Sequence, residues 1–340
     1  MTMGVGIQPM TESLFLLYGT PVRYVTTSPF LAAPVNELLR HFRRDSLDES
    51  IPLALCFQAV QERANIPVVI SPLARRLASG TDLQETDLPY QVFHDGGRLV
   101  ADFYDVGMLV IDTVQGRAEG YLIRPQGMPA SLIEYLFHLA LIELLRCRGL
   151  YTIHATALEK NGCGILIPGN SGRGKTTSFI SLLRAGYRYL SDDHPLIREV
   201  ETHVDLLPFP IKINVTKDTI AFFPELRNAS DTVLHPGFPK RAFHAEELYP
   251  TSIGVCCRPA LVLFPHVVDA PYSHLEAIPK SRALEMLLPH ALLVYDPAVA
   301  RREFQVLAKL VQQVDCYRLH FGRDILDLPA LIAPLLEEAR

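Results

Sequence analysis

The alternation of apolar and polar positions changes period several times along the chain, and each change predicts an element. Residues 34–42 and 50–64 read as short helices, the second with Ser50 as N-cap and Pro52 in its first turn. From Tyr90 the period drops to two. Runs at 98–104, 108–113 and 118–123, punctuated by Asp95-Gly96-Gly97, Asp105-Val106-Gly107 and Gln115-Gly116, predict a β-meander. Pro125-Gln126-Gly127-Met128-Pro129 is the best linker in the sequence. A helix over 130–146 follows it, apolar around most of its circumference and so expected to be buried, and Gly149 ends it. The pattern divides the chain into a smaller N-terminal α+β domain, residues 1–127, and a larger domain, residues 128–340.

The second domain opens with two strands, 151–159 and 163–168, joined by Lys160-Asn161-Gly162. Asn-Gly between such runs signals a two-residue hairpin, because both residues tolerate the positive φ of a type I′ turn. A glycine-rich loop comes next, then a helix over 174–185 with Gly186 as its C′ residue, then a strand over 187–191 that delivers Asp192-Asp193 at its carboxyl end. Strands at 195–200, 204–207 and 211–215 follow. A loop-rich stretch occupies 224–241. Strands are expected near 260–264 and 317–321, and helices near 279–288, 298–313 and 329–338. A parallel nucleotide-binding core should continue with alternating strands and helices. Here the loop strand is preceded by a tight hairpin and followed by more short strands, which predicts an α/β fold with a mixed sheet.

The glycine-rich loop is Gly169-Asn170-Ser171-Gly172-Arg173-Gly174-Lys175-Thr176, which fits G-x-x-x-x-G-K-[ST]. Glycines let the backbone approach phosphates closely. Successive N–H groups then form an anion nest at the positive end of the following helix. Lys175 can reach the β- and γ-phosphates, and the Thr176 hydroxyl can ligate Mg²⁺. Thr177 continues the binding segment. ATP and Mg²⁺ are the expected ligands.

Counting back from a two-residue turn, Lys160 pairs with Cys163 and His154 falls opposite Gly169, beside the mouth of the loop. Thr152, His154 and Thr156 share one strand face. A hydrogen-bonded core histidine is the competing reading. Asp192 and Asp193 suit two tasks near a bound metal: one holds the ion and the other accepts a proton from an attacking hydroxyl. Adjacent residues on an extended chain point opposite ways, so the two roles should differ.

Composition narrows the class. The 340 residues are 49% hydrophobic and 20% charged, with a formal net charge of −5, which suits a globular protein and argues against a general nucleic-acid binder. Cys56, Cys147, Cys163, Cys256, Cys257 and Cys316 contain no Cys-x-x-Cys pair and read as reduced, mostly buried thiols, with Cys256-Cys257 inside a strand. No signal peptide is expected, since the apolar run 14–18 is short. The stretch 132–145 is interrupted by Glu134, His138 and Glu143 and reads as a core helix rather than a span. A cytoplasmic protein with no membrane partner is expected.

The strand Ile153-His154-Ala155, the loop Gly169–Thr176 and the run Gly186-Tyr187-Arg188-Tyr189-Leu190-Ser191-Asp192-Asp193 together resemble the catalytic core of HPr kinase/phosphorylase and its related proteins, a group with a fold relationship to PEP carboxykinase. The resemblance covers under a fifth of the chain. It implies a PEP carboxykinase-like P-loop kinase core in which His154 assists a catalytic carboxylate, Asp192 is the base and Asp193 is a metal ligand. The glycine-rich Glu-Ile-Arg-Gly-type segment of the bifunctional enzyme is absent, which argues against HPr itself as the acceptor.

Three further cations are candidates for substrate or phosphate contact. Lys212 lies in an apolar run and can neutralise charge on a transferring phosphoryl group, with an outward-facing strand lysine as the alternative. Lys240 and Arg241 follow His235-Pro236-Gly237 in a stretch able to close over substrate, with solvated surface charge as the alternative. The expected activity is transfer of the γ-phosphoryl of ATP to a hydroxyl of a protein, peptide or small molecule. A non-enzymatic nucleotide-binding regulator or scaffold is the second reading. A decarboxylating carboxykinase-like enzyme is the third, without a carboxylate-binding constellation to support it. A homo-oligomer is among the options for assembly.

Overall fold

A computed structural model describes residues 10–47, 52–81, 88–169, 174–228, 230–235, 238–250, 252–291 and 295–338, the side chains of 228–240 and 338 aside. The chain divides into two units after Arg148.

The first unit holds β1 (Thr11–Leu17), β2 (Thr20–Thr26), α1 (Pro29–Leu38), β3 (Arg43–Arg44), β4 (Leu53–Val60), β5 (Arg75–Gly80), β6 (Tyr90–Asp95), β7 (Arg98–Asp102), β8 (Gly107–Asp112), β9 (Arg117–Ile123) and α2 (Ala130–Arg146). Among the described residues its strands form one sheet in the order β3-β1-β2-β4-β9-β8-β7-β6-β5. The pairs β2–β4 and β4–β9 are parallel, and the meander β6 to β9 is antiparallel.

The helix expected from residue 50 is instead strand β4. Leu53, Leu55 and Phe57 are buried in strict alternation, and a period of two with two parallel neighbours overrides a helix-start signal. Helix α2, placed with the second half on sequence grounds, belongs with the first unit. Its Phe137 ring meets Tyr24 at 5.2 Å and Phe57 at 5.6 Å between centroids, so its apolar face is spent on this sheet.

The second unit holds β10 (Tyr151–Thr152), β11 (Ala155–Lys160), β12 (Cys163–Pro168), α3 (Lys175–Arg184), β13 (Arg188–Ser191), β14 (Leu196–Val200), β15 (His203–Leu207), β16 (Ile213–Val215), α4 (Lys217–Phe222), β17 (Ser230–His235), β18 (Phe238–Phe243), α5 (Ala245–Leu248), β19 (Arg258–Val267), β20 (His274–Ala277), α6 (Lys280–Leu287), α7 (Pro297–Gln313), β21 (Asp315–Phe321) and α8 (Leu328–Glu338). Its main sheet runs β13-β11-β12-β19-β21-β20. Strands β12, β19 and β21 are parallel, while β13, β11 and β20 join antiparallel, so the sheet is mixed and the fold is α/β. Two small sheets, β10-β14-β15 and β16-β18-β17, complete the unit among the described residues.

Helices α3 and α8 share a core with this sheet, built on Phe179, Ile180, Leu183, Leu263, Leu319, Phe321 and Ile332. Burial of such side chains contributes about 1.5–3 kcal/mol each, which fixes α3 against the strands whatever its loop does. Helix α3 stops at a Schellman motif: Gly186 takes φ +80°, its N–H bonds to Leu183 O at 3.0 Å, and Tyr187 N–H bonds to Leu182 O at 3.2 Å.

Three sequence expectations change here. The stretch 224–241 is not mainly loop, because β17 and β18 pair as a hairpin and β18 also pairs with β16. The strand over 151–159 is broken at His154, where the chain leaves one sheet for another. Cys256 and Cys257 precede β19 rather than lying within a strand; Cys256 is exposed, and only Cys257 and Cys316 are buried. Among the described residues no helix is long and apolar enough to cross a membrane.

Candidate active site

The hairpin β11–β12 sets the site's register. Asn161 and Gly162 take φ of 53° and 86°, as a type I′ turn requires. Pairing runs from Lys160↔Cys163 to Ala155↔Pro168, so the next residues outward are His154 on one strand and Gly169 on the other. His154 sits at the bend between β10 and β11, and the segment after α6 captures it there. Its N–H donates to His290 O at 2.6 Å, and Ile153 bridges to Ala291.

Gly174 caps the start of α3 with φ +86°. A Cβ at this position would stand 3.1 Å from Phe321 and 3.2 Å from Val267. Gly174→Ala is therefore expected to cost about 1–2 kcal/mol for the left-handed backbone, with the close approach adding to it. A lower Tm than that of the parent chain checks this, and an unchanged Tm contradicts it.

Lys175, the first residue of α3, is buried, and its amine turns back across the loop. Nζ donates to Gly169 O and lies 3.1 Å from Nε2 of His154. The same His154 nitrogen lies 2.8 Å from Oδ1 of Asp193, and Nε2 of His194 lies 3.2 Å from Oδ2. One nitrogen cannot accept from an amine and donate to a carboxylate at once, so the tautomer of His154 decides which partner it serves. Burial alone would raise the Asp193 carboxyl, but His194, His154 and Lys175 outweigh it and hold the group far below the usual carboxylate range.

Asp192 faces elsewhere, as strand alternation requires. It is nearly buried. The Thr156 hydroxyl donates to its carbonyl at 2.9 Å and approaches Oδ1 at 3.4 Å, while the Asn214 N–H approaches Oδ2 at 3.4 Å. The buried Tyr189 hydroxyl organises this corner. It donates to Ile211 O at 2.7 Å and accepts from Asp192 N–H and Ile211 N–H, both at 3.1 Å. Burial, and then the nearby Asp192 charge, push its pKa well above the ordinary tyrosine value.

The structure thus brings His154, Lys175 and Asp193 together at the carboxyl end of β12, with Gly169 and Gly174 framing the loop. It pairs His154 with Asp193, whereas the family resemblance attaches the assisting histidine to Asp192. Strand β13 carries a bulge here, pairing Ser191 with Ala157 but Tyr189 with Leu158, and beyond it the Ala155 N–H donates to Asp193 O at 3.1 Å.

Asn170, Ser171, Gly172 and Arg173 lie outside the described residues. Thr176 is half-buried, and the Thr177 hydroxyl meets the Thr219 hydroxyl of α4 at 3.3 Å. Lys212 is half-buried just ahead of β16, two residues from Asn214. Lys240 and Arg241 lie in strand β18 rather than in a closing loop, and Arg241 donates to Arg227 O at 2.7 Å, an anchored rather than a mobile position.

Two histidines of the cluster were not singled out from sequence. His194 carries a local signal, since it directly follows Asp193. His290 carries none, as it arrives from beyond α6, far along the chain. Its ring stands edge-on to His154, centroids 6.2 Å apart. Burial, with help from the His154 and Lys175 charges, lowers its pKa to about 4. Above pH 6.5 it is neutral folded or unfolded. As pH falls from there toward 4, the unfolded chain takes up a proton that the folded chain refuses, so stability is lost across this window, on the order of 2 kcal/mol. Urea melts at several pH values should show a flatter loss in His290→Asn than in the parent; identical slopes would contradict the assignment.

Among the described residues no three His, Cys, Asp or Glu side chains form a closed metal cage. Mg²⁺ seldom uses one, and takes one or two carboxylates together with phosphate oxygens and water. Thr176 is half-buried in the first turn of α3, and the Asp192 carboxylate stands 3.4 Å from the Thr156 hydroxyl and from the Asn214 N–H.

No family model matches the chain. Among solved structures it is similar to the HPr(Ser) kinase/phosphatase from Coxiella burnetii, at 13% identity, over 55% of this chain and 94% of that one, with a TM-score of 0.28. A likeness of that extent bears no weight for chemistry, which rests on the side chains of this protein.

Proposed function

We propose that the second unit is an ATP- and Mg²⁺-dependent kinase of the HPr kinase-related type, with a PEP carboxykinase-like core, that transfers the γ-phosphoryl group to a hydroxyl of a protein, peptide or small molecule. The observation that carries this reading is the convergence of Lys175, His154 and Asp193 beside a glycine-framed loop that opens a helix.

Lys175 is the cation for the β- and γ-phosphates, and the loop amides and the α3 terminus add the nest. Asp193 accepts the proton of the attacking hydroxyl. It is the carboxylate open to an incoming group, with 43% of its side chain exposed, and His154 and His194 fix its orientation. The cations that depress its basicity include Lys175, which a polyphosphate would draw away, leaving a better proton acceptor. This exchanges the roles that the family resemblance gives the two aspartates: Asp192, with Thr176, becomes the metal-holding residue. Mg²⁺ bound there supplies charge neutralisation for the phosphates. Catalysis is then positioning and electrostatics. Lys212 is retained as a candidate for the acceptor side, the Arg241 guanidinium is bonded to Arg227 O, and the Lys240 side chain lies outside the described residues.

The test is incubation of the full chain with γ-labelled ATP, Mg²⁺ and candidate hydroxyl acceptors. Label leaving ATP for an acceptor supports the kinase. Saturable, stoichiometric ATP binding with no label transferred would favour the nucleotide-binding regulator, the reading motivated by the absent glycine-rich segment.

A further inference from the structure

Three histidines outside the candidate active site stand in one row at the edge of the main sheet. His266 on β19 lies directly opposite His320 on β21, and His320 lies directly opposite His274 on the edge strand β20. Residues paired across strands point to the same face, so the three imidazoles share one surface. The His274 and His320 rings are stacked, with centroids 4.4 Å apart and planes within 4°; His266 meets His320 edge-on at 5.8 Å. Glu276 is two residues along from His274 and shares its face. Its Oε2 lies 2.9 Å from Nε2 of His320 and 3.8 Å from Arg318. His266, His274 and Glu276 are exposed and His320 is half-buried, so hydrophobic burial does not account for the row.

Imidazole nitrogen is the preferred donor for borderline divalent ions such as Zn²⁺, Ni²⁺ and Cu²⁺, whereas Mg²⁺ takes oxygen. Two imidazoles on one zinc, each with a Zn–N bond of about 2.1 Å, hold their ring centres roughly 5 Å apart. The observed separations bracket that value. With the side chains as they stand, no three His, Cys, Asp or Glu among the described residues are placed to hold a metal ion, these four included. Convergence requires the His274–His320 stack to open and the His320 Nε2 to be released from Glu276, with the backbone register already in place.

We propose that His266, His274 and His320, supported by Glu276, form a binding site for a divalent transition ion of the zinc class. The ion ties the edge strand β20 to β21 and β19. Val267 and Phe321, which directly follow His266 and His320, line the Cβ side of Gly174, so the site braces the wall against which Gly174 packs. It does not depend on the kinase reading, because its donors and its preferred metal are different.

Calorimetric titration of the metal-stripped full chain with ZnCl₂ alone tests it. Stoichiometric binding is expected at pH 7.5. His274→Ala and His320→Ala should each weaken Zn²⁺ by about a hundredfold. His274 is exposed, so that variant is expected to keep the parent fold, checked by circular dichroism. His154→Ala serves as the control for the other histidine cluster and should bind Zn²⁺ at this row as the parent does. Unchanged affinity in the two row variants, or loss of binding in His154→Ala alone, would overturn the assignment.

Discussion

Asp193→Asn should lose phosphoryl transfer by roughly a hundred- to ten-thousandfold, the usual value of a positioned proton acceptor, while its affinity for Mg-ATP changes little. The substitution keeps size and shape and removes the basic oxygen. His154 and His194 both approach this carboxylate, so the amide still finds hydrogen-bond partners and the local fold should survive. The pattern separates the two roles open to the aspartyl pair. If Asp193 were instead the metal ligand, as the family resemblance implies, Asn would weaken Mg-ATP binding, and excess metal would restore part of the activity. Asp192→Asn should show that second pattern. Single-turnover rates and Mg-ATP titrations on both variants distinguish the assignments.

Lys175→Ala should weaken Mg-ATP binding by about ten- to a hundredfold, the worth of a lost charge-assisted hydrogen bond in a partly buried site. The amine is buried and bonded to Gly169 O, so the loop's mouth is built around it. Its removal also takes away one of the cations that hold Asp193 down, so the carboxyl of the variant should titrate higher than in the parent. Carboxyl chemical shifts followed against pH would read that rise. An unchanged affinity for Mg-ATP would remove Lys175 from the binding machinery.

Elements with strong local signals were legible in the sequence. The type I′ hairpin follows from Asn161-Gly162, and its register brings His154 next to Gly169. The Schellman end at Gly186 and the meander of β7 to β9 follow equally from local chemistry. Long-range pairing hid the rest. Ser50 and Pro52 ahead of β4 read as a helix start, yet β4 is a strand because two parallel neighbours and the buried alternation of Leu53, Leu55 and Phe57 make it one. α2 follows a convincing linker but spends its apolar face on the sheet before it, a choice that no residue near the linker signals. At the site, His154 meets Asp193 at the bend between β10 and β11, and that bend is held by segments distant in the chain. His290 reaches the cluster through a backbone bond to His154 from a segment with no motif of its own.

A crystal structure of the full chain with a non-hydrolysable ATP analogue and Mg²⁺ probes the heart of this account. The terminal phosphate should lie against Lys175 Nζ, with the amine withdrawn from His154 and the Asp193 carboxylate facing the far side of that phosphate. A triphosphate bound elsewhere, or one seated at the loop while Lys175 still rests on Gly169 and His154, would contradict it.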